Sequence, residues 1–235
     1  RDMMTKGGVW PCIVGTFFLA VGATIIALPL GVATAVYLTE YGGSGRFVSG
    51  VRLAVSNLSG VPSVIFGLFG LTFFVTLCGF GVSLISGIFT LAVLALPIVI
   101  NTTEAALNQV PQSWREASLA LGASKKQTIF KIILPAALPG ILTGNILALS
   151  RVAGETAAIM YTAAVFFTPK MSSSIFDPVM SLPYHIYVLA TSSVNVEETR
   201  PLQYATALLL VAMVLGLNMI ALIIRNRAQR KIARQ

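Results

Sequence analysis

Long apolar runs separated by short polar clusters set the pattern of this chain. The runs fall at roughly 11–38, 58–78, 82–101, 138–166 and 202–224. Each is close to or above the ~20 residues that a helix needs to cross the hydrocarbon core of a bilayer. Short strands with alternating apolar and polar positions, the mark of a membrane barrel, do not occur in the sequence. The pattern therefore predicts an all-α membrane protein, a polytopic helical bundle with about five spans. Pro29, Pro62, Pro97 and Pro139 lie within these runs. Each removes a helix hydrogen bond, so a kink or a helix start is expected at each.

Composition agrees. Of 235 residues, 56% are hydrophobic and 10% charged, where a soluble domain averages about 25% charged. So few charges could not solvate the surface of a soluble fold. The net charge of +8 is then read by location before nucleic acid is invoked. Arg46 and Arg52 lie in one loop, Arg115, Lys125, Lys126 and Lys131 in another, and Arg225, Arg227, Arg230, Lys231 and Arg234 after the last run. Five crossings put all three regions on one face, against Arg1, Lys6, Lys170 and Arg200 on the other. The positive-inside rule places the rich face and the C-terminus in the cytoplasm. The basic tail reads as an orientation signal in contact with anionic lipid, not as a nucleic-acid site. Arg1 begins the chain without a signal-peptide pattern, and a missing N-terminal span before it is expected.

Candidate chemistry is sparse. Cys12 and Cys78 have no spacing signature and read as small buried apolar groups. One histidine, His185, excludes a His-rich metal motif, and no carboxylate cluster or nucleophile–base pattern replaces it. No catalytic or metal residue is assigned. Within the outer segment 167–201, "SLPYHIYVLA" is apolar but too short to span, so a surface or re-entrant helix is expected.

One polar loop is unusually well punctuated: "VPQSWREASLALGASKKQTIFKIILPAALPG". Ser113-x-x-Glu116 has the form of a capping box, Gly122 of a left-handed terminator, and Ser124-x-x-Gln127 of a second capping box. Leu134–Pro135 is expected to end the second helix. Two short helices then meet at a corner. Ala117, Ala120 and Leu121 on the first suit docking into another protein's groove, or the pair lies on lipid.

Glu116-Ala117, then Gly122, then Ile132-x-Leu134-Pro135 resembles the EAA loop of ABC importer permeases. In that family the loop sits in a cleft of the ATP-hydrolysing subunit, which implies ATPase coupling through Glu116, Ala117, Ala120, Leu121 and Gly122. The chain has no G-x-x-x-x-G-K-[ST], and "GGSG" at 42–45, read as a turn, lacks the lysine. A transport subunit without cofactor or ATPase site of its own is implied, with ATP and Mg used by a partner.

The resemblance then widens. "LPLGVATAVYLTEY", "GVPSVIFGLFG", "LPIVINTTEAALNQVPQSWREASLALGASK" and "LPGILTGNILALSRVAGETAAIMYTAA" resemble the phosphate-specific ABC permease family of the PstA type, the R-x-x-GET segment above all. The family implies an ABC type I importer permease (MetI-like) bundle. Residues 1–235 would form a single transmembrane permease domain, with a cytoplasmic coupling loop at 111–135 and the outer segment at 167–201. It implies import of inorganic phosphate across the cell (inner) membrane by alternating access. The implied partners are a second homologous permease, two ATPase subunits, an external phosphate-binding protein and the bilayer, with no nucleic acid.

Residue chemistry fits an anion path. Arg151 is expected near the middle of the fourth span, where its five-donor fork suits a tetrahedral oxyanion. Glu155 one turn on and Thr162 beyond it would continue the same face, with Gly140, Gly144 and Ala148 as a close-packing face. The alternative is a self-neutralising Arg151–Glu155 pair that only orders the bundle. The chain departs from the family at Asn101, where arginine is common, and at Ala158, where proline is usual. Asn101 is left to donate a hydrogen bond, and Glu104 is expected to be solvated at the cytoplasmic boundary. Import of sulfate or molybdate, and a stand-alone secondary transporter or channel, are the alternative functions.

Overall fold

Residues 8–43, 45–168, 174–192 and 196–232 are described by a computed structural model. In chain order the helices are α1 (Trp10–Val36), α2 (Arg46–Ser59), α3 (Ser63–Gly70), α4 (Leu84–Asn108) and α5 (Gln112–Ala120). There follow α6 (Lys125–Thr128), α7 (Leu134–Ala153), α8 (Ala157–Met160), α9 (Leu182–Thr191) and α10 (Val196–Ile232). Wider π-helical turns extend α1 over Tyr37–Tyr41, extend α3 over Leu71–Leu77 and join α6 to α7 over Ile129–Ile133.

Among the described residues, four helical stretches are long and apolar enough to span: Trp10–Tyr41, Leu84–Asn108, Lys125–Ala153 and Thr199–Arg227. The pair Arg46–Ser59 and Ser63–Leu77, bent by 106°, is long and apolar enough only when taken together, as a broken span or a re-entrant loop. The expected all-α class and span number hold, but two spans differ from the reading by runs. The second is broken because Gly60 ends α2 and Pro62 starts α3. The fourth runs from 125 to 153, not from 138 to 166. Leu134–Pro135 does not end a helix: the N–H of Leu134 reaches Ile129 O, five residues back. This widened turn takes in the proline, which has no N–H of its own to give. At the other end the helix stops at Ala153, before Gly154.

The chain divides into two compact units, and α1, α4, α7 and α10 supply residues to both. The first comprises Arg1–Ile26, Val61–Ala95 and Leu149–Leu217. In it α3 packs on α8, and Gly70 lies so close to Thr90 and Thr162 that a Cβ would come within 2.8 Å of the Thr162 methyl. The short apolar segment is helical, as α9, but Leu182, Pro183, Val188 and Leu189 bury it within the unit. The Leu182 N–H donates to Thr16 Oγ1 of α1 at 2.9 Å. His185 stacks on Phe166, and burial holds its imidazole pKa below the ordinary value. Cys12 is buried, whereas Cys78, expected to be buried too, is exposed; both are free.

The second unit comprises Ala27–Gly60, Leu96–Ala148 and Asn218–Gln235. Its core joins Leu38, Val48, Val55, Ile100, Leu107, Ile129, Ile133 and Ile141. Gly140 and Gly144 set α7 against Ala106 and Thr102 of α4, the close approach that the small-residue face predicts. Arg46, Arg52, Arg115, Lys125, Lys126, Lys131, Arg225 and Arg227 all belong to this unit. Of the remaining charges, Arg1, Lys6, Lys170 and Arg234 lie outside the described residues, as do the side chains of Arg230 and Lys231 and, in the "GGSG" turn, Ser44.

Gly70→Ala is expected to cost about 1–3 kcal/mol through overpacking against Thr90 and Thr162, read as a lower midpoint of thermal unfolding in detergent. For His185, a depressed folded pKa means that the unfolded chain binds its proton more tightly. Its stability is therefore full above the ordinary imidazole pKa of about 6.5 and is lost as pH falls below it. The unfolding midpoint should drop between about pH 7 and pH 5, and His185→Phe should flatten that drop.

Candidate functional sites

Arg151 lies in the last turn of α7, not in mid-span. A cation there faces the unsatisfied carbonyl end of the helix, worth about 0.3–1 kcal/mol. Its side chain is exposed, and among the described residues it takes part in no ion pair. Glu155 is beyond the helix end, so the two residues do not share one helical face. Its carboxylate accepts instead from the N–H of Ala158 at 3.4 Å, in the first turn of α8. Thr162 does not continue such a face either. It is fully buried, and its hydroxyl donates to Ala158 O at 3.0 Å. The segment after Arg151 is thus a turn leading into the short α8, held by Glu155 at one end and Thr162 at the other, with Ala158 buried between them. The guanidinium is left free of the self-neutralising pair that the spacing allowed.

In the second unit, Asn101 on α4 is exposed, and its amide donates to Ser59 Oγ at 3.2 Å. Glu104, one turn on, is not an ordinary solvated carboxylate. It pairs with Arg52 at 3.2 Å, and its side chain is only 15% exposed. Arg52 in turn donates to Leu38 O at 2.9 Å.

The corner between α5 and α6 is built largely as its punctuation predicts. Gly122 has φ +84°. Its N–H reaches Leu119 O at 3.0 Å, and that of Ala123 reaches Ser118 O at 3.2 Å. These two bonds are the Schellman termination. Ser124 caps α6 reciprocally with Gln127. The first capping box is absent: α5 starts at Gln112 behind Pro111, so Ser113 is already within the helix. Proline supplies a preset φ at the N-cap, and its carbonyl accepts from the Trp114 N–H at 3.1 Å, with no side-chain cap. Glu116, Ala117, Ala120, Leu121 and Gly122 are all exposed.

The opposite side of α5 carries what the sequence reading missed. Arg115, counted there only as a topology charge, forms an ion pair with Glu40 at 2.8 Å. The two side chains are 14% and 8% exposed. The same guanidinium donates to Leu107 O in the last turn of α4 at 2.9 Å and to Val110 O in the link to α5 at 2.7 Å. Ser118, one turn along, bonds Thr128 of α6 at 2.8 Å, with both hydroxyls buried. One signal was available. Glu40 is a lone acid at the end of an apolar run, on a face otherwise rich in cations, and needs a partner.

Residues 27–234 match the family model described as the binding-protein-dependent transport system inner membrane component. The chain is similar to the phosphate transport system permease protein PstA of Mycobacterium leprae, with 40% identity over 96% of this chain and 73% of that protein. It is also similar to the probable ABC transporter permease protein YqgI of Bacillus subtilis, with 34% identity over 92% and 76%. In fold it resembles a chain of the inward-facing MetNI methionine ABC transporter, with TM-score 0.72, 23% identity and 94% of both chains covered. A second likeness is to a crystal structure of an amino acid ABC transporter with histidines, with TM-score 0.61, 17% identity, and 92% and 94% covered.

Nothing surrounds a Cβ built on Gly122, so a substitution there meets backbone strain alone. Gly122→Val is expected to cost at least about 1–2 kcal/mol. Faster hydrogen exchange at the Ala123 amide would report it, by about tenfold or more. Gly122→Asn, which tolerates the left-handed region, should exchange more nearly as the parent does.

Proposed function

The chain belongs to the family of binding-protein-dependent transport system inner membrane components, and from that premise we propose that it is the permease subunit of an ATP-driven importer of inorganic phosphate. The observation that carries the substrate is similarity over nearly the whole chain to a phosphate permease, 40% identical over 96% of the chain and 73% of that protein. Residue chemistry supports it. Arg151 offers an exposed guanidinium with no ion-pair partner among the described residues, and a fork of N–H donors matches a tetrahedral oxyanion. Glu155 and Thr162 hold the turn that follows it.

Coupling runs through 111–135. The exposed stripe of Glu116, Ala117, Ala120 and Leu121 meets the partner ATPase, which binds ATP and Mg. A second homologous permease, two ATPase subunits and an external phosphate-binding protein complete the transporter. The basic second unit lies on the cytoplasmic side with the C-terminus. ATP-driven movement of the α5–α6 corner then alternates access to the path, with no covalent chemistry on this chain.

Arg151→Ala should lower phosphate uptake at least about tenfold, the equivalent of one lost charge-assisted hydrogen-bond set, while copurification with the ATPase persists. Uptake of labelled phosphate into vesicles is the measurement, and near-normal uptake would remove Arg151 from the path. Competition separates the substrates: sulfate or molybdate that displaces phosphate uptake more strongly than phosphate itself would reassign the importer.

A further inference from the structure

Helix α5 stands on a polar footing. Among its residues only Ser118 is buried, while Trp114 and Leu119 are about half exposed, and Leu121 just beyond its end is 89% exposed. What fastens it to the rest of its unit is the Arg115 fork, held by Glu40, by Leu107 O of α4 and by Val110 O just beyond α4, together with the hydroxyl pair of Ser118 and Thr128.

Glu40 sits in the Tyr37–Tyr41 turn that ends the first span, a π-turn closed by the Gly42 N–H on Tyr37 O at 2.7 Å. Such turns are local departures from the helical ladder, and they recur at functional sites. Cations from three elements grip this one. Arg52 of α2 donates to Leu38 O, Arg115 of α5 pairs with Glu40, and Lys125 of α6 lies 4.9 Å above the Tyr41 ring. Because Arg52 also pairs with Glu104 of α4, and Arg115 also caps the end of α4, the polar connections close into a ring. Glu40 and Arg115 together border two hollows, of about 440 and 250 Å³, so the pair is not encased in close-packed side chains.

A buried ion pair adds little net stability over an apolar replacement of similar volume. Its two-pronged geometry instead fixes a direction. We propose that the Glu40–Arg115 pair is a positioning device that passes movement of the α5–α6 corner to the Tyr37–Tyr41 turn, and so converts the partner's ATP hydrolysis into transport. The inference rests on the importer reading, in which that corner meets the ATPase.

The test uses the whole transporter, with its binding protein, in proteoliposomes. Uptake of radiolabelled inorganic phosphate and ATP hydrolysis are measured on the same vesicles. Glu40→Leu combined with Arg115→Met removes both charges and strands neither. The expected result is an assembled transporter that still hydrolyses ATP but carries about tenfold less phosphate per ATP. Arg115→Lys, which keeps the charge and loses the fork, should be intermediate. An unchanged ratio overturns the proposal, including the case in which both rates fall in proportion, since that is what loss of stability alone would give. If the double variant does not assemble, Glu40→Asp is read the same way: a lowered ratio supports the linkage and an unchanged one overturns it. Failure of the importer reading has a separate signature, an unsubstituted transporter that assembles and hydrolyses ATP yet moves no phosphate.

Discussion

In an apolar medium no water is available to hydrogen-bond a backbone N–H or C=O, so each must find a partner within the protein. Much of this structure follows from that constraint. It makes the spans helical, and it makes every interruption a problem that needs a local solution. Pro135 is taken in by widening the preceding turn. Several hydroxyls buried along the helices turn back on the carbonyl four residues earlier, as Thr16 does on Cys12, Thr90 on Ser86 and Thr206 on Leu202. Helix ends receive donors from elsewhere: Leu38 O from Arg52, and Leu107 O from Arg115.

The same constraint relocates the charges. Arg151 looks by run length like a cation in mid-span, at a cost of roughly 2.5–3.5 kcal/mol on insertion scales. In the fold it ends a helix, where the carbonyl dipoles favour it, and the chain then turns through Glu155 into the short α8. A charge at a helix break is better tolerated than one in an unbroken helix. Glu104 and Glu40 show the opposite use. Both are taken up by arginines that also bond backbone carbonyls, so one side chain settles an acid and a helix end together.

Features governed by near neighbours were legible in the chain. The Gly122 termination and the Ser124–Gln127 box form as read, because each depends on residues within one turn. Even there a competing local device could win, and Pro111 displaced the Ser113 cap. Run length found the spans but not their ends. Apolar residues continue past Gly154 into a turn and back past Pro135 into a helix, and hydropathy does not register a break made of apolar and small residues.

The sequence by itself determined the class of the protein, the approximate number of spans, the charge asymmetry and the exposed corner between α5 and α6. All of these follow from composition and from contacts between near neighbours. Apart from the local Glu197–Arg200 pair within α10, tertiary structure decided which charges are paired. Arg115 meets Glu40 across 75 residues and Arg52 meets Glu104 across 52, whereas Arg151 and Glu155, four apart, do not pair. Proximity along a chain creates an ion pair only if the helix continues between the partners. Pairing at long range depends on which helix ends the fold brings together, and no local pattern encodes that.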